Sequence, residues 1–518
     1  MQTRQARVVC RHSVPRRGGT RRRLPLETHA LDQLACLLPE NWRPPSVAIR
    51  DGGLWILSDS TIRTLPAGGQ HGPFGELYET TKHPRQSSTS TAPTVWGCIG
   101  AVPRVECHRP PGSALPPRAL QLVRSGMCCV LENAKLWAAA EIAWSNAEYL
   151  RNGLRGPCNV LSAPVDQGKR FSYWFDHSDR VQAGYRAAPL VSTVQMTMSE
   201  YLDVCRTGSG MPQQHCLYLQ QTILQRKANG GMAPCGGLTG QFANDVEFGI
   251  DLPAVLALCE AGAFGPWQRC QLFVGSATVG ARSILHFDQY DNLFLQIAGE
   301  KRFRIFDPDQ TGCLYPYPIH HPFDTRSQVD LDDPASLDRF PRLSEARGSE
   351  VILRPGQTLF LPAYWWHEVT SLEPSDSGLN VSVNFWFDVT NRLLHPTRPL
   401  IPSMRCELAR QLEYLASDCL DDQARYVPTF FRGLLATLET MQKFGSGIAA
   451  PCTTSDTTIE AALTTLDSHC PPTIVSTQWR GLFGFVMKKL SLYLEPANVL
   501  AFVHDLCHPS RFEMLPLR

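Results

Sequence analysis

Apolar and polar positions alternate most densely between residues 270 and 306. There Gln271-Leu-Phe-Val-Gly275, Ile284-Leu-His-Phe-Asp288, Asn292-Leu-Phe-Leu-Gln-Ile297 and Arg302-Phe-Arg-Ile-Phe306 each read as a short strand. Ala298-Gly-Glu-Lys301 predicts a tight hairpin connection between the last two. Val351-Ile-Leu-Arg354 meets Pro355-Gly356, a type II turn pair, before a further strand at Thr358-Leu-Phe-Leu361. In Val381-Ser-Val-Asn-Phe-Trp-Phe387, Val381, Val383, Phe385 and Phe387 share one face, and Ser382, Asn384 and Trp386 the other. Many short strands separated by turns predict a sandwich or barrel of the jelly-roll kind, mainly β with flanking helices.

Upstream, Ala119–Val123 reads as a helix end and Met127–Leu131 as a strand. The stretch Trp137–Leu150 has helical spacing, with Trp137, Ile142 and Leu150 available for burial. Tyr201–Cys205 reads as a second helix, and a strand begins at Leu217-Tyr218-Leu219. Between Asp307 and Glu350 lies a long Pro-, Asp-, His- and Tyr-rich segment, of a length that is often functional. After about 391 the spacing turns helical. Leu408, Leu412 and Leu415 fall on one face, and Phe430, Phe431, Leu434, Leu435 and Leu438 form a second apolar group.

These textures divide the chain into a 1–104 extension rich in Arg, Pro, Gly and Ser, a 105–395 β-rich domain, a 396–442 helical segment and a 443–518 helical extension. The first of these carries Arg4, Arg7, Arg11, Arg16, Arg17 and Arg21–Arg23 with no acid before Glu27. That start suits an organellar transit peptide, a nuclear import signal or a solvated tail. Gly68-Gly69 and Gln86–Pro93 have linker composition.

The 518 residues carry a net charge of +1, with 43% hydrophobic and 19% charged residues, which suits a globular chain with a sizeable core. No global field draws it to nucleic acid, and no apolar run approaches bilayer length, so neither a nucleic-acid nor a membrane partner is expected. The 18 cysteines are scattered, without repeated zinc spacing. They read as reduced thiols of an intracellular protein, cytoplasmic or nuclear, with organellar targeting left open.

Candidate chemistry centres on His286 and Asp288. Two residues apart on a strand, their side chains point to the same side and Phe287 to the other. His367, in Trp365-Trp366-His367, adds a second imidazole from a later strand. Two histidines and one carboxylate leave coordination positions open, as a non-heme Fe(II) oxygenase requires. Alone, an H-x-D pair is a weak signal, and a single buried histidine is more often a core residue. Lys301 opens the next strand, where it could pair with the distal carboxylate of a dicarboxylate such as 2-oxoglutarate; taken singly it reads as an edge-strand solubility residue.

Residues 110 to 440 resemble the JmjC branch of the Fe(II)/2-oxoglutarate oxygenases, and within it the asparaginyl hydroxylases. The resemblance rests on Leu217–Thr222, His286-Phe-Asp288, Asn292–Ile297, Lys301-Arg302, Cys313–Pro322, Ser327–Asp330, Tyr364–His367 and Val383–Trp386. It implies a double-stranded β-helix (the cupin, or JmjC, jelly roll) with a C-terminal helical region. It further implies His286, Asp288 and His367 as iron ligands, and Lys301, Tyr218, Ser283, Asn292 and Asn384 as contacts to 2-oxoglutarate. Gln220, Arg326 and Trp386 match substrate-contacting positions. Arg326 and Thr325 replace the branch's own residues there, which puts peptide specificity in doubt but not the iron chemistry. The implied cofactors are Fe(II), 2-oxoglutarate and O2. The implied partners are a protein or peptide substrate, ankyrin-like or unfolded, and a second copy of the chain held through helices spanning Leu408–Leu438.

The expected activity is hydroxylation of a protein side chain, asparagine or a similar residue. Two alternatives stand beside it: the same chemistry used for histone-lysine demethylation or for hydroxylation of another residue or RNA, and a cupin-like binding scaffold without turnover.

Overall fold

The computed structural model describes residues 46–50, 53–57, 96–110, 112–164, 170–171, 191–207, 215–276, 281–319, 321–372, 378–420, 424–443 and 456–508. The Arg-rich start and the linker-like stretches at 68–69 and 86–93 lie outside these residues. Two compact units are present, Met1–Pro93 and Thr94–Arg518. Within the first, β1 (Ser46–Arg50) and β2 (Gly53–Leu57) pair antiparallel with Arg50 opposite Gly53. Only Asp51 and Gly52 separate them in sequence, the dipeptide that two-residue hairpins favour.

The second unit begins about ten residues before the expected boundary at 105. Its strands are β3 (Gly97–Ala101), β4 (Arg104–Glu106), β5 (Cys129–Glu132), β6 (Pro157–Pro164), β7 (Arg170–Phe171), β8 (Ser192–Thr197), β9 (His215–Arg226) and β10 (Met232–Pro234). They continue as β11 (Trp267–Ser276), β12 (Arg282–Ser283), β13 (Asp291–Ala298), β14 (Lys301–Phe306), β15 (Arg347–Leu353), β16 (Gln357–Leu361), β17 (Trp366–Ser371) and β18 (Leu379–Phe387). One sheet runs β4-β5-β16-β13-β18-β11-β9-β6-β8, with β10 beside β9; the other runs β3-β15-β14-β17-β12-β7. The early boundary follows from β3, which lies parallel to β15 and completes the smaller sheet.

From β11 onward nearly every connection carries the chain from one sheet to the other. Gly299 and Glu300 therefore do not close a hairpin, as the pattern predicted. They pass the chain from β13 in the large sheet to β14 in the small one. Gly299 has φ +67°, and an added Cβ would lie 2.9 Å from the Asn380 amide, so the crossing needs glycine. Gly356, at φ +83°, turns the chain between β15 and β16 as expected.

The outer face of the large sheet is covered by α1 (Pro117–Arg124), α2 (Ala138–Ala143), α3 (Ala147–Gly153), α4 (Met198–Thr207), α5 (Gly240–Phe248) and α6 (Leu252–Ala261). Val381, Val383, Phe385 and Phe387 pack there with Trp137, Trp144 and Phe242, as the alternation of β18 requires. The predicted helix over 137–150 is two helices. The Asn146 side chain accepts hydrogen bonds from the N–H groups of Glu148 and Tyr149, starting α3 afresh. The break leaves Ile142 81% exposed instead of buried, while Trp137 and Leu150 are fully buried.

Between the sheets, part of the lining is apolar. Phe294, Phe303, Ile305, Val351, Leu353, Leu359 and Leu361 interlock there, Phe294 meeting Phe303 edge-on at 4.9 Å. Beyond the β-domain come α7 (Pro402–Cys419), α8 (Val427–Lys443), α9 (Asp456–Ser468), α10 (Ser476–Tyr493) and α11 (Pro496–Leu506). Leu408, Leu412, Phe430, Phe431, Leu434 and Leu438 are buried in one cluster with Leu466, Trp479, Leu482, Val486, Val499 and Val503 of α9–α11. Their apolar surface is thus covered within this same chain. No helix among the described residues is long and apolar enough to cross a membrane. The described cysteines are free thiols.

Candidate metal centre

The segment 284–288 was expected to be a strand, but it makes only isolated bridges, because its backbone is shared between two neighbours. His286 exchanges backbone hydrogen bonds with His367 at 3.0 and 2.7 Å. On the other side Phe287 donates to the Thr325 carbonyl (3.0 Å) and Ser327 donates to that of Leu285 (2.9 Å). The expected alternation survives: Phe287 turns away into the apolar cluster, edge-on to Trp366 at 4.8 Å. His367 lies on a later strand, as expected; it is the second residue of β17. The turn before it contains Tyr364 at φ +67°, whose N–H donates to the Asp288 carbonyl at 2.7 Å. That backbone strain is held by contacts to the site itself.

His286, Asp288 and His367 each offer a ligand atom, and the three lie within 4.8 Å of one another. The imidazole centroids are 4.2 Å apart, and His367 Nε2 is 3.5 Å from Asp288 Oδ2. His286 Nδ1 bonds the Ile284 carbonyl at 2.7 Å and His367 Nδ1 that of Trp365 at 2.9 Å. A carbonyl can only accept, so each Nδ1 carries the proton and each Nε2 presents its lone pair inward. Burial pushes His286 down to about 3. Asp288 is held at about 2: burial would raise it, but the neighbouring His367, His286 and Arg326 side chains outweigh that. Two neutral imidazoles and one carboxylate are the donor set a divalent metal takes, and three donors leave it open to further ligands.

Lys301 lies on the floor of the same space, fully buried at the first position of β14. Its Nζ donates to Tyr218 Oη (2.9 Å) and Ser382 Oγ (2.7 Å), with the Phe273 and Phe294 rings beside it. Among the described residues it has no carboxylate partner, and burial pushes its pKa down to about 7. The edge-strand reading of Lys301 is therefore wrong: β14 lies inside its sheet, between β15 and β17.

Along the same space, buried Asn292 Oδ1, Asn384 Oδ1, Gln220 Oε1 and Trp386 Nε1 make no hydrogen bond within the described structure. Each such atom costs about 1–3 kcal/mol if left dry, so the cluster is fitted to a polar ligand. Ser283 accepts a hydrogen bond from the Val369 N–H at 2.9 Å and retains its own proton to donate. Arg326, expected at a substrate contact, is buried beside His286, where its Nη1 donates to the Asp324 carbonyl at 3.0 Å. Its positive charge helps to hold Asp288 ionised.

All eleven site residues singled out in the sequence thus lie in one β-domain, and those named here line one space between its sheets. Ser382 was missed as a partner of Lys301, although its alternation with Asn384 and Trp386 had placed it on the right face.

Comparison with known proteins agrees with this architecture. Residues 120–392 match the family of the cupin-like domain. HSPB1-associated protein 1 of Rattus norvegicus is 40% identical over 124 residues, 24% of either chain. Lysine-specific demethylase 8 of Xenopus tropicalis is 41% identical over 108 residues, 21% of this chain and 23% of that one. Lysine-specific demethylase JMJ31 of Arabidopsis thaliana is 35% identical over 109 residues, 21% of this chain and 19% of that one. The similarity thus spans about a quarter or less of the curated relatives. It joins the chain to relatives named lysine-specific demethylases as well as to HSPB1-associated protein 1, and does not single out the asparaginyl hydroxylases. With more than half of its length matched, this chain belongs to the cupin-like domain family.

Proposed function

We propose that the chain is an Fe(II)- and 2-oxoglutarate-dependent oxygenase acting on a protein side chain. The observation that carries this reading is Lys301, an ammonium buried without a counter-charge on the floor of a space whose upper wall holds three metal donors. A dicarboxylate that reaches from the donors to Lys301 supplies the missing charge. When bound, Fe(II) with 2-oxoglutarate and O2 supplies oxidative decarboxylation to succinate and CO2, with one oxygen atom passed to a substrate C–H bond.

The chain's own residues do the rest. His286, Asp288 and His367 hold the metal. Lys301, Tyr218 and Ser382 grip the far carboxylate, and Ser283, Asn292 and Asn384 have hydroxyl and amide groups that orient the co-substrate. Gln220, Arg326 and Trp386 line the space that a substrate enters. The apolar packing of Phe273 and Phe294 keeps water from the ammonium, so its charge acts at low dielectric.

Asparagine hydroxylation in an ankyrin-like or unfolded segment remains the finer reading drawn from the motif resemblance. A second reading, N-methyl-lysine demethylation, is favoured by the relatives named lysine-specific demethylases. A homodimer is also proposed, on faces of α7 and α8 other than those covered by α9–α11. The test is 2-oxoglutarate turnover with Fe(II) and ascorbate, followed by mass analysis of candidate peptides. A gain of roughly 16 mass units marks hydroxylation and a loss of roughly 14 marks demethylation. Absence of 2-oxoglutarate consumption, with His286→Ala indistinguishable from the parent chain, overturns the oxygenase reading.

A further inference from the structure

We propose that Arg269 is a specificity-determining residue that receives an acidic side chain of the protein substrate at the mouth of the site; this rests on the oxygenase reading above. Alternation along β11 sets Gly275, Phe273, Gln271 and Arg269 on the side facing the space between the sheets, while Val274, Leu272 and Cys270 pack outward into the core. Phe273 is level with Lys301. At about 3.3 Å per residue, Arg269 stands about 13 Å further up the strand. On β18 the same ascent runs from Ser382, bonded to Lys301, through Asn384 to Trp386, and the register pairs Trp386 with Arg269 on one side and with Asn292 on the other.

The Arg269 guanidinium lies 5.6 Å from the Trp386 ring centre and 5.9 Å from that of Tyr290, which is two residues beyond Asp288. The rings hold the cation and leave its N–H groups unused. Among the described residues Arg269 forms no ion pair, and its buried Nε has no acceptor. Beside it Trp386 Nε1 is also buried without an acceptor. Four other buried or half-buried arginines are ion-paired: Arg282 with Asp330, Arg304 with Glu368, Arg392 with Asp291 and Arg410 with Asp324. Two adjacent N–H donors, one of them cationic and both lacking acceptors, match a carboxylate, which has only acceptors to offer. Asp or Glu flanking the reacting residue supplies it.

The experiment uses the full chain loaded with Mn(II) and 2-oxoglutarate without O2, and two fluorescent peptide pools. One pool has Asp or Glu at fixed positions in random sequence; the other has Asn or Gln at the same positions. Anisotropy should show the acidic pool binding about tenfold more tightly, with Arg269→Gln erasing the preference and Arg269→Lys restoring part of it. Binding of 2-oxoglutarate, followed by calorimetry, should be the same in all three proteins. If the parent chain does not bind 2-oxoglutarate, the oxygenase reading fails. If it does, then equal binding of the pools, binding of neither, or a preference that survives Arg269→Gln overturns the role given to Arg269.

Discussion

The space between the sheets has two linings, side by side on the same strands, that differ in kind. In one, Phe303 and Ile305 of β14 meet Phe294, Leu359 and Leu361 and fill their volume with apolar contacts. In the other, β14 contributes Lys301 and β13 contributes Asn292, both buried, with polar atoms that the described residues do not fully satisfy. Burial is equal, but only the apolar lining is complete. The polar lining is paid for by the stability of the rest, which is the signature of a site whose missing partners are ligands.

Substitutions can break this contrast. Asp288→Ala removes the only carboxylate of the donor set. Turnover of 2-oxoglutarate should fall by more than the roughly 10–100-fold that changes one layer further out from a metal cause, while the melting temperature of the ligand-free chain holds. Phe303→Ala should do the reverse. Denaturant unfolding should show a loss of about 3–5 kcal/mol, and the protein that remains folded should still bind 2-oxoglutarate. Lys301→Met sharpens the difference: removing a buried, unpaired cation should stabilise the ligand-free fold by about 1–3 kcal/mol while abolishing 2-oxoglutarate binding by calorimetry. Destabilisation by that change would mean that the polar lining is structural.

A last test is one of pH. Lys301 titrates near 7 when folded and near 10.5 when exposed in the unfolded chain, so between these values the unfolded state binds more protons. Its contribution to stability is therefore greatest above 10.5 and is lost as pH falls toward about 7. Ligand affinity runs the other way. An anionic co-substrate needs the protonated amine, so its dissociation constant should rise up to about tenfold per pH unit above 7, and Lys301→Arg should flatten that slope.

Much of this was legible in the residues. The alternation of 381–387 assigned both faces of β18 correctly, because a strand buried on one side by helices and on the other by a site must keep period two. The triad could be read because H-x-D spacing survives even where the ladder does not. What could not be read was how the strands sort between the sheets. Ala298-Gly-Glu-Lys301 has hairpin composition, and nothing local reveals that β14 pairs with β15 across some forty residues and not with β13. The break at Trp144–Asn146 was hidden for a similar reason: a cap competes with a periodicity that runs on through it. Arg269 carried no motif, and its setting depends on two rings brought in by a distant strand and by the bend before β13.

The two-residue crossing at Gly299-Glu300 ties the chemistry to the arithmetic of the chain. Inserting one residue there while the rest of β14 kept its pairing positions shifted by one would swing Lys301 to the solvent face and bring Arg302 inward, where a longer, forked cation meets a floor shaped for an amine. Length polymorphism in this corner should therefore be far less tolerated than in the forty-residue excursion between β14 and β15.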